Sequence, residues 1–417
     1  MRIRQVVTPA DCSHAIVSIL PDLEQLGLKI SHDLSVSLQE TGSLFICDLG
    51  FVSTHSGSAI IRCALSKDCC VLMDPEKFCS VLDELKNTGE ISNKTNQSLA
   101  AHAIYKCIEA DARLLSSMQD GLPHYAVCAY EKAQELRYGE NWHQRAALYV
   151  KSGGLGLHNA KKLNGREMSY NNIVDAETVL EMLIDLSEYD GVRLRKPLSI
   201  IVKHANPCGV AYGMTLEQSY RLSFATDPKS AFGGVIGFNQ PLDLETAQAI
   251  GDSFVEVLLA PGFEPEALKT LIENKPNRRI LNIGDILERR DELYNGCYAK
   301  SIFGGMMLQD YDTGDIEEWK VVTRRVPTES ENKALRFAWK VTKYVKSNAL
   351  VYATENRTIG IGSGQVSRVD AARFGAEKAI EHGMSTIGTV AATDSFFPFR
   401  DGLDEIYKAG ATAAVHP

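Results

Sequence analysis

Leu198-Ser199-Ile200-Ile201-Val202-Lys203-His204-Ala205-Asn206-Pro207-Cys208-Gly209 is the stretch that decides the fold. Its first five residues are a mostly apolar run of strand length, the kind of strand that helices cover on both faces. Lys203 and His204 then fall at the carboxyl end of that strand, where open α/β sheets place ligands. Pro207 and Gly209 favour a turn there. A Lys and a His side by side cannot both enter a core without partners. Histidine titrates near neutrality and serves as a base, and lysine supplies a fixed charge or an activated amine. A solvated loop is the alternative, but two strong chemical groups at one rigid turning position favour catalysis.

Working outward, Ala176 to Ser187 has helical spacing and buries Val179, Leu183 and Leu186. A second helix–strand pair follows later, with a helix from Glu329 to about Tyr344 and a strand at Ala349–Ala353. Val202-Lys203-His204-Ala205-Asn206 ends the first strand and Val345-Lys346-Ser347-Asn348 leads into the second. This faint echo is compatible with an internal duplication, which two short segments do not establish. A further break is expected around Asn274 to Arg290, which is charge-rich.

The N-terminal side reads as a small α/β unit. Ala10 to Leu28 is partly amphipathic through Ile16, Ile19, Leu20 and Leu23, with a break or kink expected near Leu20 because Pro21 follows. Leu44–Cys47 reads as a short strand, Ser53 to Ser58 as polar sequence, and Cys69–Met73 as a buried strand. A helix is expected from Pro75, with Phe78, Val81 and Leu82 inward. Another is expected over Asn93–Asp111, with Leu99, Ala103, Ile104 and Ile108 on one face. A composition change at Ser116–Pro123 suggests a linker.

The 417 residues exceed the size at which single cores stop growing, so two or three domains are expected. Apolar residues at 44% and charged residues at 23% are an ordinary globular balance. No apolar run is long enough to span a bilayer and no apolar targeting stretch follows the N-terminus, so a cytoplasmic location is expected. The net charge of -9 argues against nucleic acid as a partner but leaves room for a small anion held by a few cations in a cleft. The ten cysteines form no Cys-x-x-Cys pair and read as free thiols packed as small hydrophobes, not as a zinc site.

Five further segments suggest binding. Leu136–Gln144 holds Arg137, suited to a phosphate or carboxylate, and Tyr138, suited to stacking. Ser230-Ala231-Phe232-Gly233-Gly234, after Asp227, lets backbone approach a flat ligand. Lys346-Ser347-Asn348 reads more readily as a solvated helix end. Gly360–Arg368 lacks the dinucleotide spacing but could form a phosphate-holding nest before a helix starting near Val369, with a tight hairpin turn as the alternative. Asp394–Asp401 places three phenylalanines around Pro398 with Arg400 and Asp401 after them, which reads as an aromatic wall or as plain core. Together these segments fit a flat, anionic, nitrogen-rich ligand, and the reaction class stays open on physics alone.

Leu136–Gln144, Glu167–Asn172, Val202–Gly209, Ser230–Gly234, Ala260–Phe263, Lys346–Asn348, Ile361–Arg368 and Asp394–Asp401 also occur in one order that resembles a known family. It is the family of bifunctional purine enzymes that combine aminoimidazole carboxamide ribotide transformylase with inosine monophosphate cyclohydrolase. The resemblance implies an α/β protein with tandem cytidine-deaminase-like α/β/α subdomains at 118–290 and 291–417. A partial methylglyoxal-synthase-like α/β domain at 1–117 would precede them. It implies 10-formyltetrahydrofolate as co-substrate, a homodimer with formyl-transfer sites between subunits, and a monovalent cation as a further ligand. Under it, Lys203, His204 and Asn348 are catalytic. Arg137, Tyr138, Phe232, Gly233, Gln365, Ser367 and Arg368 lie by the nucleotide. Glu256, Phe396, Phe397, Pro398 and Phe399 lie on the folate side.

The chain departs from the family in places. Trp142 stands where the family has Pro, which loosens the turn. The front half of the cyclohydrolase domain is not recognisable in residues 1–50. The family's Asp-Ile-Gly-Gly falls on Thr54-His55-Ser56-Gly57, and its nearby Lys falls on Ser66, with Lys67 one residue off. Cyclohydrolase activity is therefore expected to be absent or crippled. The family also continues past Val415-His416-Pro417 with a pocket-lining strand, so the chain is expected to be truncated there. Two rivals remain: a deaminase or hydrolase on the same fold, which lacks its His/Cys/Cys zinc set here, and a non-catalytic nucleotide-binding subunit.

Overall fold

The computed structural model describes residues 1–34, 42–52, 57–67, 69–189, 192–193, 196–314 and 318–417. The chain divides into two compact units, Met1–Glu131 and Lys132–Pro417.

In the first unit, β1 (Gln5–Val7), β2 (Lys29–Ser31), β3 (Ser43–Ile46) and β4 (Cys70–Leu72) form a parallel sheet in the order β2-β1-β3-β4. Parallel neighbours require crossovers. Helix α1 (His14–Gln25) joins β1 to β2, and α2 (Gly57–Ser66) lies between β3 and β4. Every residue of β3 and β4 is buried, as their apolar runs require. Helix α3 (Pro75–Thr88) starts where the Asp74 carboxylate accepts the Glu76 N–H and Pro75 occupies the first turn, and it ends on left-handed Gly89. Helix α4 spans Asn93–Ser117.

Two expectations need correction here. Helix α1 runs through Pro21 without stopping. Pro21 and Val17 both lie on the exposed face, so solvent can satisfy the carbonyl that Pro21 leaves without a donor. Helix α4 extends past Asp111, and its inward face is Leu99, Ala103 and Cys107, while Ile104 and Ile108 are exposed. The small thiol fits where a branched side chain had been expected. Of the family's Asp-Ile-Gly-Gly counterpart, residues 54–56 lie outside the described residues, as does most of the polar stretch 53–58.

The second unit opens with a ribbon of β5 (Glu131–Leu136) and β6 (Ala146–Val150). Strand β7 (Lys161–Asn164) and helix α5 (Tyr170–Leu186) follow, then β8 (Leu198–Lys203), β9 (Asn206–Tyr212), α6 (Leu216–Phe224), β10 (Val235–Phe238), α7 (Leu244–Ile250), β11 (Val257–Ala260), α8 (Pro265–Asn274) and β12 (Arg279–Asn282). These strands make a six-stranded sheet ordered β9-β8-β10-β11-β12-β7. The charge-rich segment 274–290, expected as a break, thus contributes β12, with Ile280 and Leu281 buried inside the sheet. A ribbon of β13 (Cys297–Ile302) and β14 (Gly305–Asp310) comes next. After it come α9 (Glu329–Thr342), β15 (Leu350–Ala353), β16 (Thr358–Gly362), α10 (Arg368–Glu381), β17 (Val390–Thr393), α11 (Asp401–Lys408) and β18 (Ala413–Val415), with the sheet order β16-β15-β17-β18.

The second half of this unit repeats the pairing of four strands of the first. Strands β8 and β15 each pair antiparallel with the next strand in the chain and, on the other side, with β10 or β17. Strands β10 and β17 each pair parallel with the strand that follows. The alternation of β8 explains the layering. Ile200 and Val202 face a central core shared with α5 and α9, and Ile201 faces α6–α8. Likewise Val351 faces the central core while Leu350 and Tyr352 face α10 and α11. Helices α5 and α9 are thereby sandwiched between the two sheets. The edge strands β9 and β16 meet: the Tyr212 N–H donates to the Asn356 carbonyl (2.8 Å) and the Val210 N–H to Thr358 Oγ1 (3.0 Å).

The echo between Lys203–Asn206 and Lys346–Asn348 does not mark equivalent positions. The first closes β8 and the second precedes β15, at opposite ends of equivalent strands.

Candidate functional site

Strands β8 and β9 are joined by a two-residue loop, with Lys203 paired to Asn206 and His204-Ala205 between them. Both loop residues are left-handed, at φ 55° and 54°, the backbone of the hairpin turns that suit twisted strands. Neither is glycine, and each such residue costs about 1–2 kcal/mol. The Asp175 carboxylate on α5 offsets this by accepting the His204 N–H (3.2 Å) and the Ala205 N–H (2.7 Å). Lys203 Nζ donates to the Phe232 carbonyl at 2.7 Å. Phe232 is 62% exposed, its ring 5.2 Å from that of Phe254. Gly233, left-handed at φ 75°, donates its N–H to the Phe254 carbonyl.

The second half reaches this turn directly: the Lys346 N–H donates to Asn206 Oδ1 at 2.9 Å. Asn348 Nδ2 donates to the Gln365 carbonyl (2.8 Å), while Asn348 Oδ1 accepts from Arg368 Nη2 (2.8 Å). Arg368 Nη1 donates to the Phe396 carbonyl at 2.9 Å. The Arg368 guanidinium therefore orients Asn348, leaving one amide hydrogen of Asn348 available. Asp394 accepts the Ser347 hydroxyl and the Ala349 N–H. Ser367 caps α10 by position, without a side-chain bond. The glycines of the expected nest serve packing instead. A Cβ on Gly360 would lie 2.1 Å from the Gly375 carbonyl and one on Gly362 would lie 1.9 Å from that of Ala371, and Gly364 alone of the three is left-handed.

Between the halves lies a cleft of about 560 Å³. Lys203, His204, Ser363 and Gln365 line it, with Cys208, Asp227 and Lys378 among its other walls. Burial, then the Asp227 charge, pushes the Cys208 thiol up to about 12, so it stays protonated and is no nucleophile. Burial alone would raise Asp227. Bonds from Lys378 (2.8 Å) and from the Ser230 hydroxyl (2.6 Å) and N–H (3.0 Å) instead hold its carboxyl below the usual range. His382 Nε2 lies 3.0 Å from the same carboxylate. Among the described residues, no group of three His, Cys, Asp or Glu side chains is arranged to hold a metal ion.

Other expected site residues lie elsewhere. Arg137 stacks on Tyr138 at 5.3 Å, in a loop that Gln144 organises by accepting the Asn141 N–H (2.8 Å) and the Gly139 N–H through its own carbonyl (2.8 Å). The loop is tied to the start of α5, where Asn171 Nδ2 donates to the Glu140 carbonyl, and neither Arg137 nor Tyr138 lines the cleft. Trp142 projects from it, 85% exposed. Glu256 is committed to Arg279, whose Nη1 lies 2.6 Å away. Phe396, Pro398 and Phe399 are exposed, while Phe397 packs edge-on against His416. Sequence reasoning missed Asp175, Lys378 and His382. An aspartate four residues before Val179, on the buried face of an amphipathic helix, was the available signal for Asp175.

Comparison with known proteins returned one consistent result. The family described as AICARFT/IMPCHase bienzyme matches residues 66–378. The bifunctional purine biosynthesis protein PurH of Polynucleobacter asymbioticus is 43% identical over 379 residues, covering 87% of this chain and 70% of the relative. That of Polynucleobacter necessarius subsp. necessarius is 42% identical over 379 residues with the same coverage.

Proposed function

The chain belongs to the AICARFT/IMPCHase bienzyme family, and from that premise we propose how its second unit works. It transfers the formyl group of 10-formyltetrahydrofolate to the 5-amino group of 5-amino-4-imidazolecarboxamide ribotide, a step of purine synthesis. One observation carries this reading beyond the family match: Lys203, His204 and Asn206 of the first half line one cleft with Ser363 and Gln365 of the second, and the Lys346 N–H of the second half donates to Asn206 Oδ1 beside that turn.

The acceptor amine is a poor nucleophile because its lone pair is delocalised into the ring. His204 takes its proton as it attacks the formyl carbon, and collapse of the tetrahedral intermediate then breaks the bond from that carbon to N10 of the folate, which takes up the proton and leaves as tetrahydrofolate. Lys203 and the free amide hydrogen of Asn348 stabilise the charge growing on the formyl oxygen, each donor contributing about 3 kcal/mol. Phe232 and Gly233 support the nucleotide ring, with Gln365, Ser367 and Arg368 on its other side. Phe396, Phe397, Pro398, Phe399 and Glu256 belong to the folate side. Holding two flat molecules face to face supplies proximity.

Arg137 and Tyr138 do not line the cleft of their own chain, which fits a homodimer in which each subunit lends them to its partner's site. The repeated strand order of the second unit supports tandem deaminase-like subdomains, and the parallel four-stranded sheet of the first supports a methylglyoxal-synthase-like unit. Ring closure to inosine monophosphate is expected to be weak, since Ser66 takes the place of the family's lysine. The test is loss of 10-formyltetrahydrofolate absorbance with the carboxamide ribotide present and absent. Nucleotide-dependent loss supports the reading; tight nucleotide binding with no loss would replace it with a non-catalytic one.

A further inference from the structure

We infer that Asp175 is a positioning residue for formyl transfer: its carboxylate fixes the His204-Ala205 backbone in the left-handed turn that presents Lys203 and His204 to the cleft. This rests on the function proposed above.

In a two-residue hairpin loop the ladder bonds belong to the flanking pair, here Lys203 and Asn206. The N–H groups of His204 and Ala205 therefore need another acceptor. On a surface hairpin water would serve. Here the acceptor is a side chain only 8% exposed, reaching from the second turn of α5 with one oxygen on each N–H. Glycine is the usual way to hold a left-handed turn. This chain has a histidine and an alanine there, so the conformation must be enforced from outside. A buried carboxylate is a costly choice for a merely structural bond, because a neutral acceptor would lose less hydration. What the charge adds is stronger, shorter bonds to both amides at once. Asparagine could accept only one of them and would turn its own NH2 toward the other. Neither Asp175 carboxylate oxygen lies in the cleft lining, so the residue acts through the turn and not on the reactants.

The full chain carrying Asp175→Asn is compared with Ala205→Gly and with the double variant. The expected result is a 10- to 100-fold fall in kcat for Asp175→Asn, since a misplacement of about 1 Å has effects of that size. KM for nucleotide and folate should stay within about threefold. Glycine at 205 removes the strain that Asp175 holds in check, so the double variant should recover at least about fivefold in kcat. A wild-type kcat in folded Asp175→Asn, a change confined to KM, or no recovery in the double variant would each overturn the inference. Should Asp175→Asn not fold, amide exchange in alanine-labelled wild-type protein decides it. The Ala205 N–H should be protected at least about 100-fold, and an unprotected amide overturns the inference. Exchange does not depend on turnover. A protected amide in a protein that transfers no formyl group would therefore retire the functional reading while leaving the turn assignment in place.

Discussion

The two halves of the second unit share the order of four strands but contribute unequally to the cleft. In the first, the hairpin between β8 and β9 carries Lys203 and His204. In the second, the matching hairpin, Thr354 to Arg357, carries none of the proposed chemistry and serves to join the halves, with the Asn356 carbonyl accepting the Tyr212 N–H. The second half reaches the cleft instead from the opposite end of its sheet, through Ser363 and Gln365, with Asn348 bonded to the Gln365 carbonyl behind them. The reason is geometric. Strands β9 and β16 meet antiparallel, with Ala211 bridged to Arg357. That brings the start of β9 beside the end of β16 and the entry to β15. Two sheets of similar strand pairing thus line one cleft from non-equivalent strand ends, with Lys203 and His204 from one half and Ser363, Gln365 and Lys378 from the other.

That division can be broken at several points. Lys203→Met should cost about 10²–10³ in kcat, as loss of a charged donor to a developing oxyanion does. Asn348→Ala should cost less, about tenfold, because its amide is neutral and one of its hydrogens is already engaged by Gln365; equal losses would erase the asymmetry. Joining of the halves is tested at Lys340 on α9. Its Nζ donates to the carbonyls of Asp185 (3.1 Å) and Glu188 (2.7 Å) and lies 3.4 Å from Asp185 Oδ1. Lys340→Met should destabilise the second unit by about 1–3 kcal/mol in denaturant melts, since the carbonyls of Asp185 and Glu188 lose their buried donor while the Asp185 carboxylate keeps Lys343 Nζ (3.2 Å) and the Tyr344 hydroxyl (3.1 Å). Activity per folded molecule should be unchanged.

A smaller effect is expected from acid. The folded-state carboxyl of Asp227 is held below its ordinary value. The stability it confers is therefore complete above the ordinary carboxylate range and is lost as pH falls through the lowered value. Melting temperatures taken between about pH 6 and about pH 3 should fall less steeply in Asp227→Asn than in the parent; parallel slopes would mean that the Lys378 and Ser230 bonds do not clamp α10 to the first half. Trp142→Ala should shift stability by less than about 0.5 kcal/mol, because an exposed side chain in a loop fixed by Gln144 has little packing to lose.

Much of this was legible in sequence. The strand Leu198–Val202, the helices on either side and the turn at Lys203 follow from apolar periodicity and turn chemistry, and these signals are local. The inward face of α4 was misread at Ile104 and Ile108 because propensity for a core does not say which of two adjacent apolar stripes meets the sheet. Strand β12 was hidden because Arg278 and Arg279 stand at its start, and their guanidiniums donate to backbone carbonyls and Glu256 from distant segments. Asp175 could be read as a buried carboxylate on α5 but not given its partners, which lie about thirty residues away. The glycines at 360 and 362 suggested phosphate binding, yet close approach of β16 to α10 demands them. Long-range partners, not local pattern, separate these readings.

The account stands on His204 acting as base within a cleft built by both halves. The most direct test is the steady-state turnover of His204→Ala at saturating carboxamide ribotide and 10-formyltetrahydrofolate, with the parent measured alongside. The account predicts a kcat lower by about 10² or more with the protein folded and both ligands still bound. Full turnover in that variant would contradict it.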